Sequence, residues 1–202
     1  MYDLIDKVVY INLDERADRK TQVQRELLRA FPAGKIVRFP AIKHADGGRG
    51  CTMSHIAVLE MAKANAWKNV LIVEDDFVWI RLKEGVDRFT ELLSDSYDVI
   101  VVGGAHVSCN TKTMRLASCQ TTTAYVVAQH YYDTLLGNYR EGLAQLEATN
   151  DYGTYALDQF WKRLQGPDNW FIVLPIMAAQ RPGYSDIEKR NVNYIREFAV
   201  VR

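Results

Sequence analysis

Three consecutive acids, Glu74, Asp75 and Asp76, stand inside the apolar stretch NVLIVEDDFVWI, residues 69–80. Carboxylates this close repel one another, so a fold keeps them together at a core edge only where a cation or strong donors offset the charge. A hard divalent ion, Mn²⁺ or Mg²⁺, takes oxygen ligands and shares them with substrate phosphates, which asks the protein for only one or two carboxylates. Residues i and i+2 of an extended segment face one side, so Glu74 and Asp76 are expected to point together and Asp75 away. Asp76 is then the first metal ligand, and Glu74 binds the ion through water or holds a ribose hydroxyl. Solvated acids at a strand-end turn are the plainer alternative. Phe77, Val78 and Trp79 weigh against it by drawing the acids toward the core edge.

Arg16 and Arg19 have the type and place to meet a diphosphate with a bidentate guanidinium; the ordinary alternative is a solvated helix start. His55 is the kind of helix histidine that more often packs than ligates. Trp161 and Trp170 have faces that suit a sugar ring, although large aromatics are usually core.

The elements that must position these groups alternate. KVVYINL (7–13) reads as a buried strand, followed by a helix from about 17 to 30 with an apolar stripe of Val23, Leu27, Leu28 and Phe31. KIVRF is a short strand, HADGGRG (44–50) a glycine-rich loop suited to a mobile flap through Gly47, Gly48 and Gly50, and Thr52 or Ser54 the cap of the next helix. Then follow strand NVLIV, helix VDRFTELL, strand YDVIVVGG, strand TTTAYVVA, helix YYDTLLGNYREGLAQLEA, a loop-then-helix stretch NDYGTYALDQFWKRL, and strand NWFIVLPIM. The tail from Arg181 carries no clear pattern. Alternation of this kind predicts an α/β sandwich, Rossmann-like, with a mostly parallel central sheet and helices on both faces. Ligands of such sheets gather at the C-terminal strand ends, where the loops after β-segments at Asn12, Glu74 and Gly103–Gly104 are expected to open together.

The chain has 202 residues, 48% of them hydrophobic and 25% charged, enough for one well-buried core, so a single domain over 1–202 is expected, which can itself be one domain of a longer protein. Lys plus Arg and Asp plus Glu both number 25, so no global field favours nucleic acid or an anionic membrane, and no basic stripe with interleaved aromatics is seen. No segment approaches the roughly 18 apolar residues of a membrane span, and the start lacks the pattern of a signal peptide; a soluble, cytoplasmic protein is expected. Cys51, Cys109 and Cys119 are too few for a disulfide framework and suggest a reducing compartment, with a Cys109–Cys119 bridge open in an oxidising one.

VVYINLDERADRK, GCTMSHIAVLEMAKANAWKNVLIVEDD, TTTAYVV and AAQRPGYSDIE, in this order, together resemble the glycosyltransferase family 25 domain, which includes lipooligosaccharide and collagen galactosyltransferases. The resemblance implies a GT-A fold, a nucleotide-sugar donor, usually a UDP-sugar, a Mn²⁺ ion on the acidic motif, and transfer with inversion to a glycan or glycoprotein hydroxyl. Residues 74–76 match the family's DxD-like metal motif, and residues 10–19 its nucleotide-facing first loop, which places Ile11, Asn12, Leu13, Arg16 and Arg19 at the donor. GCTMSH matches its second signature and adds Ser54 and His55 to the donor pocket, with Glu74 and Asp75 beside them. Some relatives complete the metal sphere with a histidine near the C-terminal end; here the last histidine is His130, and Gln180, Ser185 and Asp186 are the weaker candidates.

For the base that deprotonates the acceptor, Asp158 in YALDQFW stands at a predicted helix start, flanked by Leu157 and Phe160, where inverting GT-A enzymes carry theirs; Asp151 and Asp186 are reserves. A helix-initiating aspartate is the ordinary reading of the same residue. Two other functions remain in view, a non-catalytic nucleotide-sugar-binding module and a metal-dependent phosphotransferase; VEDDFVW lacks the DxDxT or DxDxV spacing of the latter.

Overall fold

The computed structural model describes residues 2–199. Six strands form one sheet in the order β2-β1-β3-β6-β5-β7: β1 Lys7–Asn12, β2 Ile36–Pro40, β3 Asn69–Glu74, β5 Val99–Cys109, β6 Leu116–Ala128 and β7 Trp170–Ile172. Strands β1, β2 and β3 pair in parallel, as do β5 and β7; β6 runs antiparallel between β3 and β5. The alternating side chains of each strand divide between two apolar layers. Val9, Ile11, Val70 and Ile72 pack under helices α2 (Gly47–Ala64) and α4 (Tyr132–Thr149). Val8, Tyr10, Leu71 and Val73 pack under α1 (Ala17–Leu27) and α3 (Leu82–Ser94) on the other face. Because both faces are covered, the strands read as continuous apolar runs, which is what made them visible in the sequence.

Several local expectations are corrected. HADGGRG is not a loop throughout: α2 begins at Gly47, capped by Asp46, whose side chain accepts from the Gly48 and Arg49 amides at 3.0 and 3.2 Å, rather than by Thr52 or Ser54. The glycines stand in the first turn of α2 and allow close approach; a Cβ on Gly50 would lie 2.7 Å from the Ile42 carbonyl oxygen. Leu28 lies outside the apolar stripe of α1 and is exposed, whereas Val23, Leu27 and Phe31 are buried. Gly103 and Gly104 do not open a loop at the strand end but lie within β5, and Gly103 abuts the backbone of Ala178, whose carbonyl oxygen would be 2.9 Å from a Cβ.

The apolar stretch NWFIVLPIM holds only the short β7; the chain then turns to β8 (Ala178–Gln180), which pairs with β4 (Phe77–Trp79). NDYGTYALDQFWKRL folds into three one-turn helices, α5 Tyr152–Tyr155, α6 Leu157–Phe160 and α7 Lys162–Gln165. The tail forms a hairpin of β9 (Gly183–Ser185) and β10 (Arg190–Val192). Trp161 and Trp170 are fully buried, edge to face at 5.3 Å, and belong to the core rather than to a sugar platform. All three cysteines are free: Cys109 stands opposite Leu116 across the β5–β6 pair, out of register with Cys119. Among the described residues, no helix is long and apolar enough to cross a membrane.

Candidate active site

At the C-terminal edge of β1 and β3 the sheet opens into a cleft of about 420 Å³. Ile11, Leu13, Arg19, Ser54, His55, Glu74, Asp75, Asp76 and Asp158 all line it. β3 ends at Glu74, and Asp75 and Asp76 form the turn into β4, whose Phe77 and Trp79 are buried. The simple alternation expected for an extended EDD segment therefore stops at Glu74.

Each acid has its own surroundings. Glu74 accepts from Thr122 Oγ1 at 2.6 Å and from Gln180 Nε2 at 3.1 Å, and its Oε1 lies 3.7 Å from His55 Nε2. Burial works to raise its pKa, but these contacts outweigh it and hold the carboxyl below the ordinary value. Asp75 accepts from Asn12 Nδ2 at 2.8 Å and pairs with Arg19 at 2.7 Å, yet desolvation keeps its pKa raised. Asp76 has less support: Arg19 is 3.6 Å from one oxygen, and Oδ1 is buried with no hydrogen-bond partner. Its pKa is pushed up to about 8, by burial first and then by the neighbouring Glu74. The buried, donor-less Asp76 Oδ1 beside two further carboxylates fits a hard divalent cation.

The first loop divides by role. Asn12 is 1% exposed and outside the cleft lining; it braces the loop, donating to the Arg16 carbonyl as well as to Asp75, and accepting from Arg38 Nε at 3.1 Å. Arg16 lies outside the lining too, held between Asp18 and Asp186, so it reaches a phosphate only if Asp186 yields. Arg19 is the arginine that the fold turns to the acids, and it also donates to the Tyr184 carbonyl at 2.6 Å, tying the β9–β10 hairpin to the site. The Ser54 hydroxyl is committed within α2, accepting from the Ile42 amide at 2.8 Å and donating to the Gly50 carbonyl at 2.7 Å. His55 is fully buried, with Nδ1 2.8 Å from the Tyr125 hydroxyl.

Asp158 faces the cleft from α6. The Thr121 amide reaches its Oδ2 at 3.0 Å and the Gln159 side chain its Oδ1 at 3.3 Å; it caps no amide of its own helix. Thr121 holds that amide in place with φ 68°, a left-handed conformation that costs a β-branched residue about 1–3 kcal/mol. Of the reserve bases, Asp151 caps α5 outside the lining and Asp186 lines the cleft, as do the weaker metal candidates Gln180 and Ser185.

Sequence reasoning passed over Thr121, Thr122 and Cys51. TTT at 121–123 sat in a recognised strand, but a parallel direction would have put it at the far edge of the sheet. Since β6 is antiparallel, its Val73↔Ala124 register brings Thr122 beside Glu74. Cys51 lies one helical turn before His55, on the same face of α2, a spacing visible in GCTMSH.

No family model matches the chain, and no curated protein matches it. Solved structures do. A glycosyltransferase involved in the glycosylation of the major capsid of PBCV-1 superposes with a TM-score of 0.56 at 6% identity, over 86% of this chain and 92% of that one. Glycosyltransferase GlyE of Streptococcus pneumoniae gives 0.48 at 8% identity, over 82% of this chain and 44% of that one. Mannose-1-phosphate geranyltransferase of Thermus thermophilus gives 0.44 at 10% identity, over 87% and 73%. The likeness at these identities is one of fold. The chain has a GT-A-like α/β architecture, a mostly parallel six-stranded sheet flanked by helices.

Proposed function

We propose that the chain is a metal-dependent, inverting glycosyltransferase of the family 25 type, moving a hexose from a UDP-sugar to a hydroxyl of a glycan or glycoprotein. One observation carries the reading: the acidic turn 74–76 and Asp158, 82 residues beyond Asp76 in the chain, face one cleft at the strand ends of a GT-A-like sheet.

Asp76, with Glu74 directly or through water, would hold the Mn²⁺ or Mg²⁺ ion, consistent with the unpartnered Oδ1. When bound, that ion supplies Lewis-acid stabilisation of the negative charge that grows on the departing diphosphate. Arg19 anchors the acids and adds positive charge beside the leaving group, while Ile11 and Leu13 offer apolar contact to the nucleotide. Asp158 takes the acceptor proton as the acceptor oxygen bonds to the anomeric carbon and the bond from that carbon to the diphosphate breaks. The Thr121 amide fixes one carboxylate oxygen for this task. A single base on the acceptor side of the sugar, as proposed for Asp158, supports one in-line displacement, and retention by double displacement would need a nucleophilic carboxylate on the opposite sugar face.

A thermal-shift screen of nucleotide-sugars with and without Mn²⁺ tests the reading. A bound donor at a hundredfold excess over its dissociation constant adds about 2.7 kcal/mol of stability. Stabilisation by a UDP-sugar, with slow donor hydrolysis or transfer, is expected. Stabilisation by a phosphate monoester instead would point to phosphotransfer, and donor binding without any turnover to a binding module.

A further inference from the structure

Beside the acidic turn, on its α2 side, lies a donor set of a different kind. Cys51 Sγ, a His55 ring nitrogen and a Glu74 carboxylate oxygen all lie within 4.8 Å of one another. His55 is fully buried, and its Nε2 has no hydrogen-bond partner; Glu74 Oε1 at 3.7 Å is too far to be one. A buried ring nitrogen left without a hydrogen bond carries a desolvation cost that a carboxylate at this distance offsets only in part.

The orientation of the other two atoms is fixed from behind. His55 Nδ1 meets the Tyr125 hydroxyl at 2.8 Å, and Tyr139 donates to the same hydroxyl at 3.2 Å. In the tautomer whose Nδ1–H donates to Tyr125, the Nε2 lone pair faces Glu74. Both Glu74 oxygens are held as well, by Thr122 and Gln180. Such outer contacts to a histidine and a carboxylate are the supports that metal ligands usually have. The carboxyls of Glu74, Asp75 and Asp76 share the site with one facing guanidinium, that of Arg19, and a bound cation would add the positive charge that lets Asp76 ionise beside the other two.

We propose that Cys51, His55 and Glu74 form a second metal locus, selective for a borderline ion such as Zn²⁺, with its fourth position open to the cleft. Thiolate, imidazole and carboxylate are the ligands of tetrahedral zinc, and three protein ligands with one open position is the pattern of zinc sites that bind a further small ligand. Donors around such an ion stand about 3.3–3.8 Å apart, at ligand distances of about 2.0–2.3 Å. His55 Nε2 and Glu74 Oε1 already stand at such a distance, and the single χ1 of Cys51 is the torsion that would bring its sulfur in. This locus differs in hardness from the all-oxygen one at Asp76, and Glu74 stands between the two. The proposal stands apart from the transferase reading, since it rests on no donor sugar and no turnover.

Co²⁺ added to the metal-free full chain is the probe, because a Co²⁺–thiolate bond gives an intense near-ultraviolet charge-transfer band that oxygen and nitrogen ligands do not. The parent should show the band, Zn²⁺ should abolish it by displacement, and Cys51→Ser should lack it while keeping its far-ultraviolet circular dichroism. His55→Gln should lose the tetrahedral visible bands. Asp76→Asn should retain the thiolate band, which separates this locus from the hard-ion site. Absence of the band in the parent, or its persistence in Cys51→Ser, would overturn the proposal, whatever donor binding shows.

Discussion

Asp76 and Arg19 decide how the acidic turn exists without an ion. Asp76 keeps its proton up to about pH 8 in the folded chain against an ordinary value of 3.8. Between those values the folded state binds more protons than the unfolded one, so this residue makes stability fall as pH rises toward 8. The metal-free parent should therefore lose melting temperature over that window relative to Asp76→Asn, as melts in chelator across pH would show. Arg19→Ala should act the other way. Removing the guanidinium leaves Asp75 beside Glu74 without its ion-pair partner, at a cost of up to about 3 kcal/mol that added Mn²⁺ should partly restore. A denaturant titration with and without the ion reads both effects. Asp158→Asn keeps the shape and the donor affinity but has no basic carboxylate, so transfer should drop by roughly 10² or more with donor binding unchanged. Parent-level transfer would make Asp158 a structural residue.

At the scale of elements, the sequence showed where strands and helices lie better than how they join. The apolar runs at 7–12, 69–73 and 99–102 were legible because each is buried on both faces. The direction of β6 was not, because an apolar run reads the same either way; with it went the roles of Thr121 and Thr122. GGRG at 47–50 read as a loop because glycine has low helix propensity, whereas the close approach of Ile42 to Gly50 is a tertiary fact with no local trace. Gly103 misled in the same way. Its lack of a side chain serves the packing of β5 against Ala178, so Gly103→Ala, pressed against a backbone oxygen that cannot rotate away, should destabilise by about 1–3 kcal/mol without touching the cleft. Chemical denaturation checks the loss, and an unchanged midpoint would mean that β8 shifts freely.

Across the whole molecule, the sheet edge brings together loops that are remote in sequence, and the chemistry follows from which wall each occupies. The acidic turn was recognised from sequence because three acids within apolar residues are costly without a purpose. The holding of Arg16 by Asp186 was not, since the tail from Arg181 gave no pattern before its hairpin was seen against the first loop. If Asp158 is the base of a single in-line displacement, as proposed, an α-linked UDP-hexose should give a β-linked product, readable from the anomeric proton coupling by NMR; an α-glycoside would displace both the base and the family placement. The central claim is that the acidic turn holds an ion which in turn holds the donor. Titration calorimetry of a UDP-sugar, with Mn²⁺ and with chelator, on the parent and on folded Asp76→Ala, tests it most directly. Ion-dependent binding is expected in the parent and none in the variant, and unchanged donor affinity in Asp76→Ala with the ion present would show that the acidic turn does not hold the donor through an ion.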